Sequence, residues 1–283
     1  PQFVVKQLPA GFEREAEVYE LLWRHFDPPP AVRLLGRERA SQATYLYLED
    51  AQSSAPWPWA DTRRAGAVCV ALARLHDSRA MPHEAFSWNY EAELARSAQA
   101  TLELAGHARD VSGGRLWRRI GDLRRVVGSL PSIRDRLLSA GTGVIHGDVH
   151  PGNVVLRGGD SPEVLLIDWA RARIGSPLED VASWLHSLGC WEPEARRRHD
   201  TLMGLYLDAR RDRRRFASDL RVDYWFASAS NGLSGAIRYH LAVLSDAGRS
   251  DAARDHSRRA LSEWQRVIRR AAALLGSTQD RRS

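Results

Sequence analysis

Residues 144–153 read Val144-Ile145-His146-Gly147-Asp148-Val149-His150-Pro151-Gly152-Asn153, and residues 164–169 read Val164-Leu165-Leu166-Ile167-Asp168-Trp169. These two stretches decide the fold. Val144-Ile145, Val154–Leu156 and Val164–Ile167 are short β-forming runs separated by Gly, Pro and Asp, in contrast to the helical texture on either side. The connection Arg157-Gly158-Gly159-Asp160-Ser161-Pro162 is rich in turn formers and predicts an antiparallel hairpin. In such a hairpin the residue entering the first strand lies beside the residue leaving the second. Those residues are Asn153 and Asp168, and both offer oxygen, the ligand atom a hard cation such as magnesium prefers. Asp148 is returned towards the same place by the Pro151-Gly152 turn. A further carboxylate then stands beside a cation site, suited to accept a proton from an attacking hydroxyl.

Working outward to the N-terminus, Phe3–Leu8 predicts a short strand in which Val4, Lys6 and Leu8 share one face. A helical pattern follows Pro9 and Gly11, with Phe12, Glu15, Val18, Tyr19 and Leu22 stacked on one side. Glu15 is the carboxylate of that apolar face, while Glu13 and Glu17 point to solvent. A Lys and a Glu that both face apolar neighbours predict an ion pair, because neither tolerates desolvation alone. Of the 41 basic residues only Lys6 is lysine. Its compact ammonium on a thin stem can reach a phosphate through a slot too narrow for a guanidinium.

Pro28-Pro29-Pro30 interrupts the helix, and Val32–Leu35 and Thr44–Leu48 predict two further strands. Glu49–Pro58 has no periodicity and reads as a linker, after which Trp57 and Trp59 are expected to pack between lobes. Helices are predicted over 61–76, 84–105 and 115–139, with Gly113-Gly114 between the last two, and again over 178–189, 194–211, 218–246 and 251–275. The expected class is therefore α+β: a small β-rich N-terminal lobe over residues 1–51 and a larger, mainly helical lobe over 52–283 that carries the hairpin.

Composition narrows the function classes. With 283 residues, 43% hydrophobic and 27% charged, the chain resembles ordinary globular proteins and excludes disordered or fibrous ones. The longest apolar run, Ala65–Ala73, is too short for a membrane span. Cys69 and Cys190 are too few for a disulfide framework, so a reducing, cytoplasmic setting is expected. The net charge of +6 is C-terminal: residues 191–283 hold 19 Arg against 12 acids. The runs Arg196–Arg198 and Arg213–Arg215 come with no nucleic-acid-binding motif and read as solvated faces, so no nucleic-acid partner is expected.

Phosphoryl transfer requires a lysine on phosphate oxygens, a glutamate holding it, two oxygen ligands for magnesium and a carboxylate at the attacking hydroxyl. Lys6, Glu15, Asn153, Asp168 and Asp148 supply that inventory. The segment 146–153, the triplet Ile167-Asp168-Trp169, the triplet Asp180-Val181-Ala182, the helix end Leu72–His76 and Arg14-Glu15-Ala16 resemble the aminoglycoside phosphotransferase and choline kinase-like family, relatives of the protein kinases. The resemblance implies a two-lobed protein kinase-like fold, with ATP and Mg²⁺ as cofactors and a small hydroxyl-bearing molecule as acceptor. It implies that Asp148 is catalytic, that Asn153 and Asp168 bind the metal, and that Lys6, paired with Glu15, contacts the α- and β-phosphates. It further implies that backbone groups from Glu49 to Ala51 hold adenine and that His146 and Asp180 brace the loop; it leaves His150 without a role. Such kinases carry a hairpin and a phosphate-covering loop before the lysine strand, and only five residues precede Lys6, so either that segment is missing from the sequence or ATP binding is impaired. The Lys6–Glu15 interval is also short, and Glu13 and Glu17 stand as alternatives should the helix phase differ. Ala170 replaces the glycine of the protein-kinase Asp-Phe-Gly motif, which argues against a protein substrate.

Two rival readings compete. His146, Asp148 and His150 alternate, and on a strand they would form a two-histidine, one-carboxylate site for Zn²⁺ or Fe²⁺ in a hydrolase or oxygenase. The other rival is a degenerate kinase fold that binds nucleotide without transfer. For the acceptor, the sequence points no further than an antibiotic such as an aminoglycoside, or a metabolite. The basic balance of 191–283 weighs mildly against a polycation.

Overall fold

The computed structural model describes residues 2–8, 11–40, 43–51, 61–78, 86, 89–111, 116–158, 162–211 and 220–279. In chain order the first elements are β1 (Phe3–Leu8), α1 (Glu15–His25), β2 (Leu34–Arg39), β3 (Thr44–Glu49) and α2 (Thr62–His76). Then come α3 (Tyr90–Val111), α4 (Ile120–Gly128), α5 (Leu130–Ser139), β4 (Gly143–Ile145), β5 (Val154–Arg157), β6 (Glu163–Leu166) and β7 (Arg173–Gly175). The chain ends in helices α6 (Pro177–Trp191), α7 (His199–Ala209), α8 (Leu220–Asn231), α9 (Ile237–Ser245) and α10 (Asp251–Gln279). The class is α+β, as the sequence leads one to expect. Most of the predicted linker, Trp57, Trp59, Gly113-Gly114, the tip of the hairpin turn and Arg213–Arg215 lie outside the described residues.

The chain forms two compact units, the first built from residues 1–87, 143–188 and 194–213. Its N-terminal sheet has the antiparallel order β1-β3-β2, with Lys6 opposite Leu46. In β3 the residues Thr44, Leu46 and Leu48 face inward while Tyr45, Tyr47 and Glu49 face out, the alternation expected of a sheet with one covered face. Strand β1 places Val4, Lys6 and Leu8 on one face as expected, and burial on that face deepens only towards Leu8, while Phe3, Val4 and Val5 are about half exposed. The second strand is likewise displaced from Val32–Leu35 to Leu34–Arg39, because a bulge between Leu34 and Gly36 shifts pairing onto the charged run Gly36-Arg37-Glu38-Arg39, which suits an edge.

Asp61 caps α2 by accepting the Arg63 amide at 2.8 Å. The predicted hairpin forms as β5–β6, with Val154 opposite Leu166, a register that sets Asn153 beside Ile167 rather than directly opposite Asp168. Its companion, β4 with β7, was not legible: Arg173-Ile174-Gly175 is three residues long and carries a charge that the structure buries. Trp169, Trp184, Tyr19, Leu22, Leu46 and Leu72 are fully buried in this unit. Cys69 is a buried free thiol whose pKa burial pushes up to about 12, so it is inert packing.

The second unit comprises residues 88–142, 189–193 and 214–283. The helix expected from residue 84 begins instead at Tyr90, where Asn89 accepts the Ala92 amide at 3.2 Å. The single helix expected over 115–139 is two, α4 and α5. Pro131 cannot donate to a continuing helix, and the Ser129 amide turns back to the Arg125 and Val126 carbonyls to close α4. The helix expected over 218–246 also divides, at a π-helical turn over Gly232–Ala236 in which Gly235 has φ 151°. The region expected as helix from 194 opens with a 3₁₀ turn, Pro193–Arg198, before α7. Among the described residues no helix is long and apolar enough to cross a membrane.

Candidate active site

Lys6 enters the site from the middle of β1. Its Nζ lies 2.8 Å from both carboxylate oxygens of Glu15 and 2.9 Å from Oδ1 of Asp168. Helix α1 delivers Glu15 from its first turn, fully buried, so the choice among the three glutamates is decided by geometry: Glu17 is exposed, and Glu13 is held by backbone amides that lower its carboxyl. Burial pushes the Glu15 carboxyl above its ordinary range, and the Lys6 ammonium offsets this only in part. The amide of Trp169 also donates to Glu15 at 3.1 Å. One buried carboxylate thus ties the strand lysine to the segment that carries Asp168.

Asp168 adopts φ 65° and ψ 62°, and among the described residues it is the only one besides glycine with positive φ. That conformation costs a non-glycine residue about 1 kcal/mol and must be held by its surroundings. The Asp168 amide donates to the Tyr19 hydroxyl at 3.3 Å, and Arg14 Nη2 donates to the carbonyls of Ala170 at 3.0 Å and Ala172 at 2.8 Å. Neither Arg14 nor Tyr19 is foreseen from sequence as part of the site; the only signals were the place of Tyr19 on the α1 face that carries Glu15 and that of Arg14 in the Arg14-Glu15-Ala16 triplet.

Asn153 closes a 3₁₀ turn that begins at Pro151, and its carbonyl accepts the Ile167 amide at 3.0 Å, which extends the hairpin towards Asp168. Asn153 Nδ2 donates to the Asp148 carbonyl at 3.0 Å. That bond fixes the amide so that Oδ1 is the atom left for a ligand. A side-chain carbonyl beside a half-exposed carboxylate, Asp168 at 46%, is a donor set that fits magnesium. Asp148 is partly exposed, and its backbone is pinned on both sides: the amide donates to His146 Nδ1 at 3.2 Å, and the carbonyl accepts Asn153.

The loop that presents Asp148 is anchored by Asp180 at the first turn of α6. The carboxylate of Asp180, fully buried, accepts the amides of His146 at 2.7 Å and Gly147 at 2.8 Å, and Nε2–H of His76 at 3.1 Å. Burial alone would raise this carboxyl, but the hydrogen bonds it accepts from His76 and the Gly147 amide help to more than offset it, and the pKa falls below the ordinary value. Burial also lowers His76 and His146. As a neutral ring, His76 donates to Asp180 and accepts from the Tyr206 hydroxyl at 2.9 Å.

His146 Nε2 donates to the Ile167 carbonyl at 2.9 Å, and its ring packs 4.5 Å from that of Trp169. Gly147 has φ 82°, and a Cβ there would strike the Arg173 guanidinium and the Arg171 carbonyl. Arg173 itself is buried and paired with Glu179 at 3.1 Å.

The rival metal reading fails on this geometry. Both ring nitrogens of His146 are engaged by backbone, and His150 turns its Nδ1 to accept the Gly152 amide at 3.0 Å, capping the 3₁₀ turn. Among the described residues no group of three His, Cys, Asp or Glu side chains is placed to hold a metal. At the end of β3, the Glu49 amide donates to the Arg33 carbonyl at 2.9 Å and its carboxylate pairs with Arg157 at 3.1 Å; the Asp50 amide reaches the Gln2 carbonyl at 3.4 Å. Ala51 is the last described residue of this segment. Lys6, Glu15 and Asp168 are thus in direct contact, Asn153 and Asp148 are bonded to each other beside them, and Glu49 and Ala51 stand at the strand end.

Comparison with curated proteins finds no match to the sequence. The chain resembles the solved structure of a Plasmodium vivax ethanolamine kinase, with TM-score 0.62 and 13% identity over 92% of this chain and 73% of that one. It also resembles a Streptomyces rimosus aminoglycoside phosphotransferase in complex with ADP and streptomycin, with TM-score 0.55 and 20% identity over 81% of this chain and 86% of that one. A third likeness is to a spectinomycin phosphotransferase in complex with ADP and spectinomycin, with TM-score 0.59 and 11% identity over 94% and 84% of the two chains. At these identities the solved structures speak for the fold. The model of the phosphotransferase enzyme family matches residues 2–217, which include every residue of the candidate site, and the chain belongs to that family.

Proposed function

We propose that the protein is a small-molecule kinase that moves the γ-phosphoryl group of ATP, with Mg²⁺, to a hydroxyl of an antibiotic or metabolite. The observation that carries this reading is the joint hold of Lys6 Nζ by Glu15 and Asp168, with Asn153 on the adjoining hairpin end. Bound ADP in two of the similar solved structures supports the choice of nucleotide. An ammonium has three donors; two go to the buried Glu15, and the third, now at Asp168, faces the side where a phosphate oxygen can take it. Lys6 then binds and orients the phosphates while Glu15 keeps it from swinging away.

Asn153 Oδ1 and the Asp168 carboxylate would hold Mg²⁺, which supplies neutralising charge at the phosphates. Asp148 orients the acceptor hydroxyl and takes its proton as the new oxygen–phosphorus bond forms and the bond from the γ-phosphorus to the β-bridging oxygen breaks, releasing ADP. Ala170 in place of glycine after Asp168-Trp169 supports a small acceptor over a protein one. In this reading residues 1–51 form the nucleotide lobe and 52–283 the lobe for catalysis and acceptor. Adenine would meet the backbone from Glu49 to Ala51.

The test is incubation with ATP and Mg²⁺ against pools of aminoglycosides, other hydroxyl-bearing antibiotics and hydroxylated metabolites, followed by mass spectrometry for phosphorylated product. Product formed by the wild type and absent with Asp148→Ala is the expected result. Tight ATP binding with no product from any pool would overturn the transferase reading in favour of a nucleotide-binding protein.

A further inference from the structure

Four contacts within residues 168–172 bind the segment after β6 to α1 and its N-cap. Arg14, Glu15 and Tyr19 of α1 and its N-cap engage the amides of Asp168 and Trp169 and the carbonyls of Ala170 and Ala172. Glu15 already has a role through Lys6. Arg14 and Tyr19 have none in the reading above, although one guanidinium nitrogen crosses 156 positions of sequence to hold two carbonyls at once. Tyr19 is fully buried, and its hydroxyl meets the one backbone amide of the strained residue.

We propose that Arg14 and Tyr19 are positioning residues that clamp Asp168 in its left-handed conformation, so that its carboxylate is presented to the metal–nucleotide before ligand arrives. The inference rests on the reading of Asp168 as a metal ligand. An aspartate with φ 65° relaxes to negative φ unless its neighbours over-determine it, and relaxation rotates the plane that aims its side chain. Tyr19 holds the segment at the strained residue and Arg14 holds it two and four residues later, on opposite sides of the Glu15 contact. Since the same helix presents Glu15 to Lys6, α1 sets the phosphate-binding lysine and the metal-binding aspartate in one register. A side chain that merely filled space would serve as well without its hydroxyl or its charge; a clamp would not.

The experiment measures Mn²⁺ affinity by electron paramagnetic resonance with ADP present, and ADP affinity by calorimetry in EDTA, on the full chain. Wild type, Asp168→Asn, Tyr19→Phe and Arg14→Met are compared, with thermal unfolding of each. Tyr19→Phe keeps the buried ring and is the variant that folds if Arg14→Met does not. The clamp predicts that Mn²⁺ binding weakens about three- to tenfold in each clamp variant, the loss of one net hydrogen bond or two, while ADP affinity in EDTA stays within about twofold. Wild-type Mn²⁺ affinity in folded Tyr19→Phe and Arg14→Met, with loss in Asp168→Asn, overturns the clamp and leaves the kinase reading intact. Mn²⁺ and ADP affinities falling together in both clamp variants also overturn it, as the mark of a general packing role. Unchanged Mn²⁺ affinity in Asp168→Asn overturns the metal reading itself, and the clamp with it.

Discussion

Lys6 Nζ stands 2.9 Å from Asp168 Oδ1 across 162 positions of sequence, and it does so while bonded to both oxygens of Glu15. The lysine is therefore the joint between a fully buried carboxylate and a half-exposed one. That asymmetry sets apart what the lysine does for folding and what it does for chemistry.

Replacing Lys6 with methionine strands Glu15 in the core. Removing one partner of such a pair costs about 3–5 kcal/mol when both are buried, and Lys6 is partly exposed, so about 2 kcal/mol is expected at neutral pH. The folded Glu15 carboxyl titrates above its ordinary 4.5 because of burial, and further above it without Lys6. Its ionised form is what costs stability, so the deficit is complete above the folded value and vanishes as pH falls below about 4.5. Urea unfolding of wild type and Lys6→Met at pH 8 and pH 5 should show a smaller gap at pH 5; an equal or wider gap would refute the assignment.

Asp148→Ala separates chemistry from binding. Its side chain is partly exposed, and its backbone bonds to His146 and Asn153 survive the substitution, so the loop keeps its shape. Loss of a general base lowers turnover by about 10²–10⁴-fold. Nucleotide affinity should stay within about twofold, and ADP calorimetry beside a turnover assay checks both.

Much of this site was legible because its chemistry recurs at short range. The hairpin of β5 and β6 announced itself by turn residues between β-branched runs, and Lys6 with Glu15 by polar residues on apolar faces. What stayed hidden depends on contacts between distant segments. Arg173 reads as a surface residue in a three-residue strand, yet it is buried against Glu179. The reach of Arg14 to Ala170 and Ala172 follows from where α1 docks, which no local pattern encodes. The breaks at Ser129 and Gly235 were missed for the opposite reason, since apolar periodicity continues through both while one proline and one glycine decide the backbone.

Gly147→Ala tests whether the loop tolerates a side chain. At φ 82° an alanine is strained, and its Cβ meets a carbonyl and a guanidinium that Glu179 holds in place, so the loop must move. Displacement of about 1 Å at neighbouring Asp148 is enough to cost about 10²-fold in rate. The expected result is a folded protein with lower turnover and lower stability, measured by assay and urea unfolding. Wild-type turnover would mean that the loop does not position Asp148.

Asp180→Asn is the sharpest test of what anchors that loop. The carboxylate receives three donors, the amides of His146 and Gly147 and Nε2–H of His76, and an amide side chain can offer only one oxygen. Its NH₂ would confront at least one of those donors in a fully buried setting, at a cost of about 3 kcal/mol. The folded carboxyl lies below its ordinary 3.8, so Asp180 contributes stability above that pH and loses it as pH falls through the folded value. The gap between wild type and Asp180→Asn should therefore be full at pH 7 and narrow only below about pH 3.8. Urea unfolding across that range measures it. A gap that instead widened as pH fell from 7 to 5 would place a titration on His76, and would show that the ring is protonated against Asp180 rather than neutral between Asp180 and Tyr206.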